Sequence, residues 1–234
     1  MVAKSESVLI NQNLRSALKA GLLALAFFWV RSSDFNFGAV ILFTLFFILI
    51  YFRPIFNAGR FSISALTTYS LVFLTPYWPT LEAYLALAWG SLIFALLGVK
   101  NLTLLKRQGG YEIVHSSLIL GSSALYFAGS IPQIILFVSL FFLFREFYFN
   151  ASSASLPRLV LLGAILAMLL VEVAWLLTFT PLSPLVAAGL VALSAFLLHD
   201  TLVHYLKETM SRELILRNIT IFVLMILVIV ALPI

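Results

Sequence analysis

The chain has 234 residues, of which 63% are hydrophobic and only 10% are charged. Its mean hydropathy is +1.13 and its formal net charge is +5, whereas a globular domain is ~45–50% apolar and ~25% charged. This composition excludes a soluble enzyme, a disordered chain and a nucleic-acid-binding domain, and it predicts an all-α, polytopic bundle of membrane helices.

A membrane-crossing helix takes roughly 20 residues, so about nine fit and no room is left for a soluble domain. Nine apolar segments can be drawn in chain order. The first covers roughly 14–31 and follows a polar stretch too long for a signal peptide, without a small-residue cleavage site. Its uninterrupted apolar core, Ala20 to Val30, is short, so Lys19 must snorkel to the interface. The second covers roughly 36–52 and the third roughly 61–78, with Ser64, Thr67 and Thr68 on one face. Hydroxyls of this kind often bond back to their own helix. The turn Thr75-Pro76-Tyr77-Trp78-Pro79 leads into the fourth, roughly 80–99.

The fifth segment, roughly 112–129, has the clearest polar pattern. Glu112, His115, Ser116, Ser122, Ser123 and Tyr126 recur at helical spacing on one face. Ile113, Val114, Leu118, Leu120, Ala124 and Leu125 lie on the other. In lipid such a polar stripe must turn toward other helices or a wet cavity. It reads as the wall of a substrate or ion path, or as hydrogen-bonded helix packing eased by Gly121.

The sixth segment covers roughly 131–149 and the seventh roughly 158–179. The seventh holds Glu172, the only charge well inside a predicted span. An ionised acid at such a place costs about 2.5–3.5 kcal/mol on insertion scales. Arg31 is the one basic residue predicted on the same side, so a Glu172–Arg31 ion pair is expected. Thr180-Pro181-Leu182-Ser183-Pro184 precedes the eighth segment, roughly 182–200, whose inner end carries His199, Asp200, His204 and Glu208. The ninth covers roughly 214–233.

Loop charges orient the bundle. With the N-terminus in the cytoplasm, Lys4, Arg15, Lys19, Arg53, Arg60, Lys100, Lys106, Arg107, Arg145, Arg158, Lys207, Arg212 and Arg217 all fall inside, which is 13 of the 14 basic residues. Cytoplasmic loops collect Lys and Arg in this way. The charge therefore points to nine spans with the C-terminus outside, in a bacterial inner or plasma membrane. Trp29, Tyr77, Trp78, Tyr126 and Trp175 fall near the outer interface, where amphipathic rings are favoured. The two proline turns lie 105 residues apart, which suggests a parallel repeat of four helices with the ninth appended.

Three functions suit these features. The first is a small transporter or binder of a lipid-like or weakly polar substrate, with Glu172, Thr67, Thr68, Glu112, His115, Ser116, Ser122, Ser123 and Tyr126 lining its path. The second is a structural or assembly subunit, because Ala86/Gly90 and Ala188/Ala192/Ala195 form small-residue faces suited to helix association. The third, and least favoured, is an enzyme with a metal on His115, Asp200 and His204, which requires helices five and eight to be neighbours. The competing reading of that inner cluster is a solvated helix end with Glu208–Arg212 and Glu213–Arg217 pairs. No cofactor motif is present, and the absence of cysteine removes thiolate sites. The expected partners are the bilayer, anionic lipid head groups at the basic loops, and a membrane protein or a second copy of the chain.

Overall fold

The computed structural model describes residues 2–53, 55, 57–101, 107–151, 155–206 and 209–231. Among these residues there are nine α-helices, one short 3-10 turn and no strand. The helices are α1 (Val2–Ser32), α2 (Phe37–Phe52), α3 (Ser62–Leu74), α4 (Glu82–Lys100), α5 (Arg107–Phe127), α6 (Gln133–Ala151), α7 (Leu156–Leu177), α8 (Pro184–Leu206) and α9 (Arg212–Ala231).

Each predicted apolar segment forms one helix, and the shifts at the ends have local causes. α2 starts where the Asn36 side chain accepts a hydrogen bond from the Gly38 N–H, satisfying one of the donors that open a helix. α3 stops at Leu74, four residues earlier than expected, because Thr75 precedes Pro76 and is held extended at φ −71°, ψ 127°. α8 runs on to Leu206, since its polar inner end is helical as well. α1 likewise extends back into the polar N-terminal stretch.

Among the described residues, five helices are long and apolar enough to cross a membrane: Gln12–Ser32 of α1, α4, α6, α7 and α8. α2 is apolar but only 16 residues long. α3 has 13 residues, about 20 Å at helical rise, against a hydrocarbon core of about 30 Å.

The chain forms two compact units, Met1–His115 and Ser116–Ile234, with the boundary inside α5. In the first unit α1 packs on α4 and α2, and α3 packs on α4. Leu23, Phe27, Phe43, Phe47, Trp89, Ile93 and Leu96 are buried there, and the Phe27 and Trp89 ring centroids lie 5.2 Å apart. α1 and α4 touch closely at Gly90, where an added Cβ would sit 2.8 Å from the Ala24 Cβ. In the second unit α6 packs on α7, α7 on α8 and α8 on α9. Gly163 lets α7 approach the α6 backbone; a Cβ there would be 3.4 Å from the Arg145 nitrogen.

The two units are built on different pairings. The most extensive pair is α1 with α4 in one and α6 with α7 in the other. A four-helix offset would match α6 and α7 to α2 and α3 instead. The small-residue face of α4 is covered, with Ala86 and Gly90 buried, and that of α8 mostly so, with Ala188 and Ala195 buried and Ala192 half-buried.

Candidate functional site

Arg31, on the last turn of α1, is fully buried. A guanidinium has five N–H donors, and all five are taken. Nε donates to Glu82 Oε2 at 2.6 Å and Nη2 to Glu82 Oε1 at 2.7 Å, a bidentate pair. Nη1 donates to the Val72 and Thr75 carbonyls, and Nη2 also to the Pro76 carbonyl, each at 2.8 Å. Glu82 opens α4, where a carboxylate suits the positive end of the helix, and its Oε1 also accepts from the Trp78 N–H at 3.1 Å. One arginine thus ties α1 to the carbonyl end of α3, the proline turn and the start of α4.

This corrects the expected Glu172–Arg31 pair. Arg31 is bonded to Glu82, and no donor is left over for Glu172. The signal for Glu82 was present in the sequence: an acid at the start of a predicted helix, on the same predicted side as Arg31. At the 105-residue offset the two positions hold Leu136 and Ala187, so the clasp is not repeated.

Glu172 is exposed on α7 and has no hydrogen-bond or ion-pair partner among the described residues. Leu161, Ile165, Met168, Trp175 and Leu176 are exposed around it at helical spacing. The one acid of the span therefore sits in the middle of an uncovered apolar face.

None of the six polar-stripe positions of α5 is exposed. His115, Ser122 and Ser123 are buried, and Glu112, Ser116 and Tyr126 are half-buried. On the opposite face Ile113 is exposed, but Val114 and Leu118 are also buried, so burial is not confined to the polar stripe. Glu112 and His115 belong to the first unit and the remaining four residues to the second. The Ser123 hydroxyl has no hydrogen-bond partner among the described residues, nor has that of Ser194 on α8. On α3, Thr67 is half-buried and Thr68 buried. Thr68 bonds back to the Ser64 carbonyl at 2.6 Å, and its own carbonyl accepts from Trp89 Nε1 at 2.8 Å.

The inner cluster of α8 is divided between two tasks. His199 is buried, its Nδ1 3.1 Å from the Tyr148 hydroxyl and its ring edge-on to Phe147 at 4.2 Å. Asp200 faces α9 instead: its Oδ2 accepts from Arg217 Nη2 at 2.6 Å and from Asn218 Nδ2 at 3.1 Å. Asn218 Nδ2 also donates to Thr201 Oγ1 at 2.9 Å. His204 Nδ1 lies 2.9 Å from the Asp200 carbonyl and 3.6 Å from its Oδ1. The expected Glu213–Arg217 pair thus gives way to a cross-helix Asp200–Arg217 pair, and Glu208 lies outside the described residues. Asp200 and His204 share one turn, whereas His115 belongs to the other unit. No group of three metal-ligating side chains occurs among the described residues.

The sequence reading overlooked Glu82, the Tyr148–His199 pair and Asn218. Each is ordinary in its own segment and gains a role only through a residue on another helix. Against known proteins the chain matches no family model, no curated protein and no solved structure.

Proposed function

We propose that this chain is an assembly component of a membrane. In this reading it spans the bilayer nine times with its N-terminus inside, and it associates with a second copy of itself through the face of α7 centred on Glu172. The observation that carries the reading is the exposed carboxyl within a 22-residue apolar helix. Lipid offers it no hydrogen bond, and an unsatisfied polar group in hydrocarbon costs several kcal/mol. A protonated carboxyl is donor and acceptor at once. A twofold contact brings each residue of a face near its own copy, so a second copy supplies a matching group at the same depth. The other charged groups suit a structural role as well, since Arg31 and Asp200 are held in internal clasps.

Sizing the full-length protein in lipid nanodiscs tests this. The wild type is expected as a dimer, Glu172→Gln keeps the dimer, and Glu172→Leu weakens it. Interhelical polar contacts are worth ~0.6–1.7 kcal/mol in membranes, which corresponds to roughly three- to twentyfold in affinity. A monomeric wild type would overturn the reading.

A second reading, carriage or binding of a lipid-like or weakly polar substrate, is favoured by the buried Ser123 and Ser194 hydroxyls. A buried polar atom without a partner calls for one. Under that reading Ser123→Ala and Ser194→Ala change uptake or ligand retention while leaving the dimer intact.

A further inference from the structure

Lys19, Arg53 and Lys100 gather at the end of the first unit away from the Arg31–Glu82 clasp. Lys19 is 12 residues before Arg31 on α1, about 18 Å at helical rise, and Lys100 closes the helix that Glu82 opens. The gathering point is the end of α2, whose last carbonyls have no partner within their own helix. Lys19 Nζ donates to the Arg53 carbonyl at 3.1 Å. Lys100 Nζ donates to the Tyr51 carbonyl and lies 4.9 Å from the Tyr51 ring centroid. The Tyr51 hydroxyl in turn donates to the Ala58 carbonyl at 2.8 Å, fixing the ring.

Capping explains where the two lysines point, but it does not balance their charge. A helix C-terminus carries about half a negative charge, against three positive charges here. Lys100 has no accessible surface, and its charge acts on that of Lys19. None of Lys19, Arg53 and Lys100 has a carboxylate partner among the described residues. A buried ammonium without a counter-ion is costly. Lys19 is half-buried and Arg53 exposed, so both are free to reach outward. The residues flanking them, Leu18, Leu22, Leu49, Phe52 and Ile55, are exposed and apolar.

We propose that this end of the first unit binds a phosphate-bearing anion, held by Lys19 and Arg53 above the buried Lys100 ammonium. The apolar flank fits a phosphate that carries acyl chains, the head group of an anionic phospholipid. The site stands apart from Glu172 and does not depend on self-association.

The full-length protein in a neutral detergent is titrated with short-chain phosphatidylglycerol, short-chain phosphatidylcholine or inorganic phosphate. Thermal midpoint and bound lipid by native mass spectrometry are the two readouts. The anionic lipid is expected to raise the midpoint and be retained over the zwitterionic one. Each Lys or Arg at an anionic surface is worth roughly fivefold in affinity, so Lys19→Gln with Arg53→Gln should weaken retention about thirtyfold. Lys100→Met should weaken it as well, and the double variant keeps the test valid if that protein does not fold. Stabilisation by the anionic lipid with phosphate inert identifies a head-group site. Equal stabilisation by inorganic phosphate supports the site with a free anion as its ligand. No preference for the anionic lipid, or an equal loss in the control Arg158→Gln with Arg212→Gln, overturns the proposal.

Discussion

Arg31 owes its burial to the acceptors that close around it, two from a carboxylate and three from the backbone. Removing one member of such a pair leaves the other charge buried and alone, which typically costs 3–5 kcal/mol. Glu82→Ala is therefore expected to destabilise the protein by about that amount, measured by unfolding in mixed micelles. Arg31→Met combined with Glu82→Leu should cost less than Glu82→Ala alone, because an apolar replacement removes both charges. It should still cost about 1–3 kcal/mol for the carbonyls left without a donor. Wild-type stability in Glu82→Ala would show that the clasp does not hold this end together. The sequence made it plain that Arg31 needed an acid, because it stood alone among basic residues on its predicted side. It did not rank Glu82, 51 residues away, above Glu172, because pairing depends on which helices meet. Thr68 was legible for the opposite reason, since its hydroxyl bonds within its own helix.

Helices were legible wherever an apolar run was long; of their ends, the Asn36 cap of α2 fell where expected, whereas the stop before Pro76 came four residues early. Packing was not, because helix neighbours are chosen by close approach that no periodicity records. Gly90 shows this: in the sequence it belongs to a small-residue face suited to outside contacts, whereas in the fold it seats Ala24 of α1. Gly90→Ala is expected to cost about 1–3 kcal/mol, the usual range for overpacking, and Ala24→Gly in the same chain should recover part of it. Full wild-type stability in Gly90→Ala would mean that α1 and α4 sit further apart. At the α8–α9 contact, Arg217 is more than half exposed, and exposed pairs contribute at most about 1 kcal/mol. Arg217→Ala should therefore leave global stability nearly unchanged. Asp200→Ala also deprives the buried Asn218 of an acceptor and should speed hydrogen exchange in α9. Equal exchange in the two variants would count against the clasp.

For the whole molecule, five helices among the described residues have the length and apolarity to span a membrane, which points to a helical membrane protein. The nine crossings and the inside N-terminus are the proposed topology, argued from the placement of basic residues. Single cysteines test them cleanly, because the chain contains none. With the N-terminus inside, Ser130→Cys and Ser183→Cys should react with an impermeant maleimide added to intact cells, and Ser155→Cys and Ser211→Cys should not. The reverse pattern would invert the topology. The functional assignment turns on Glu172, an acid that the fold leaves without a partner on an apolar face. Met168 lies one turn away on that face and is exposed. A single cysteine cannot form a disulfide within its own chain, so the most direct measurement is oxidation of Met168→Cys in native membranes. Self-association through α7 predicts a disulfide dimer with Met168→Cys that forms more slowly when Glu172→Leu is added; a chain that stays monomeric under oxidation would contradict it.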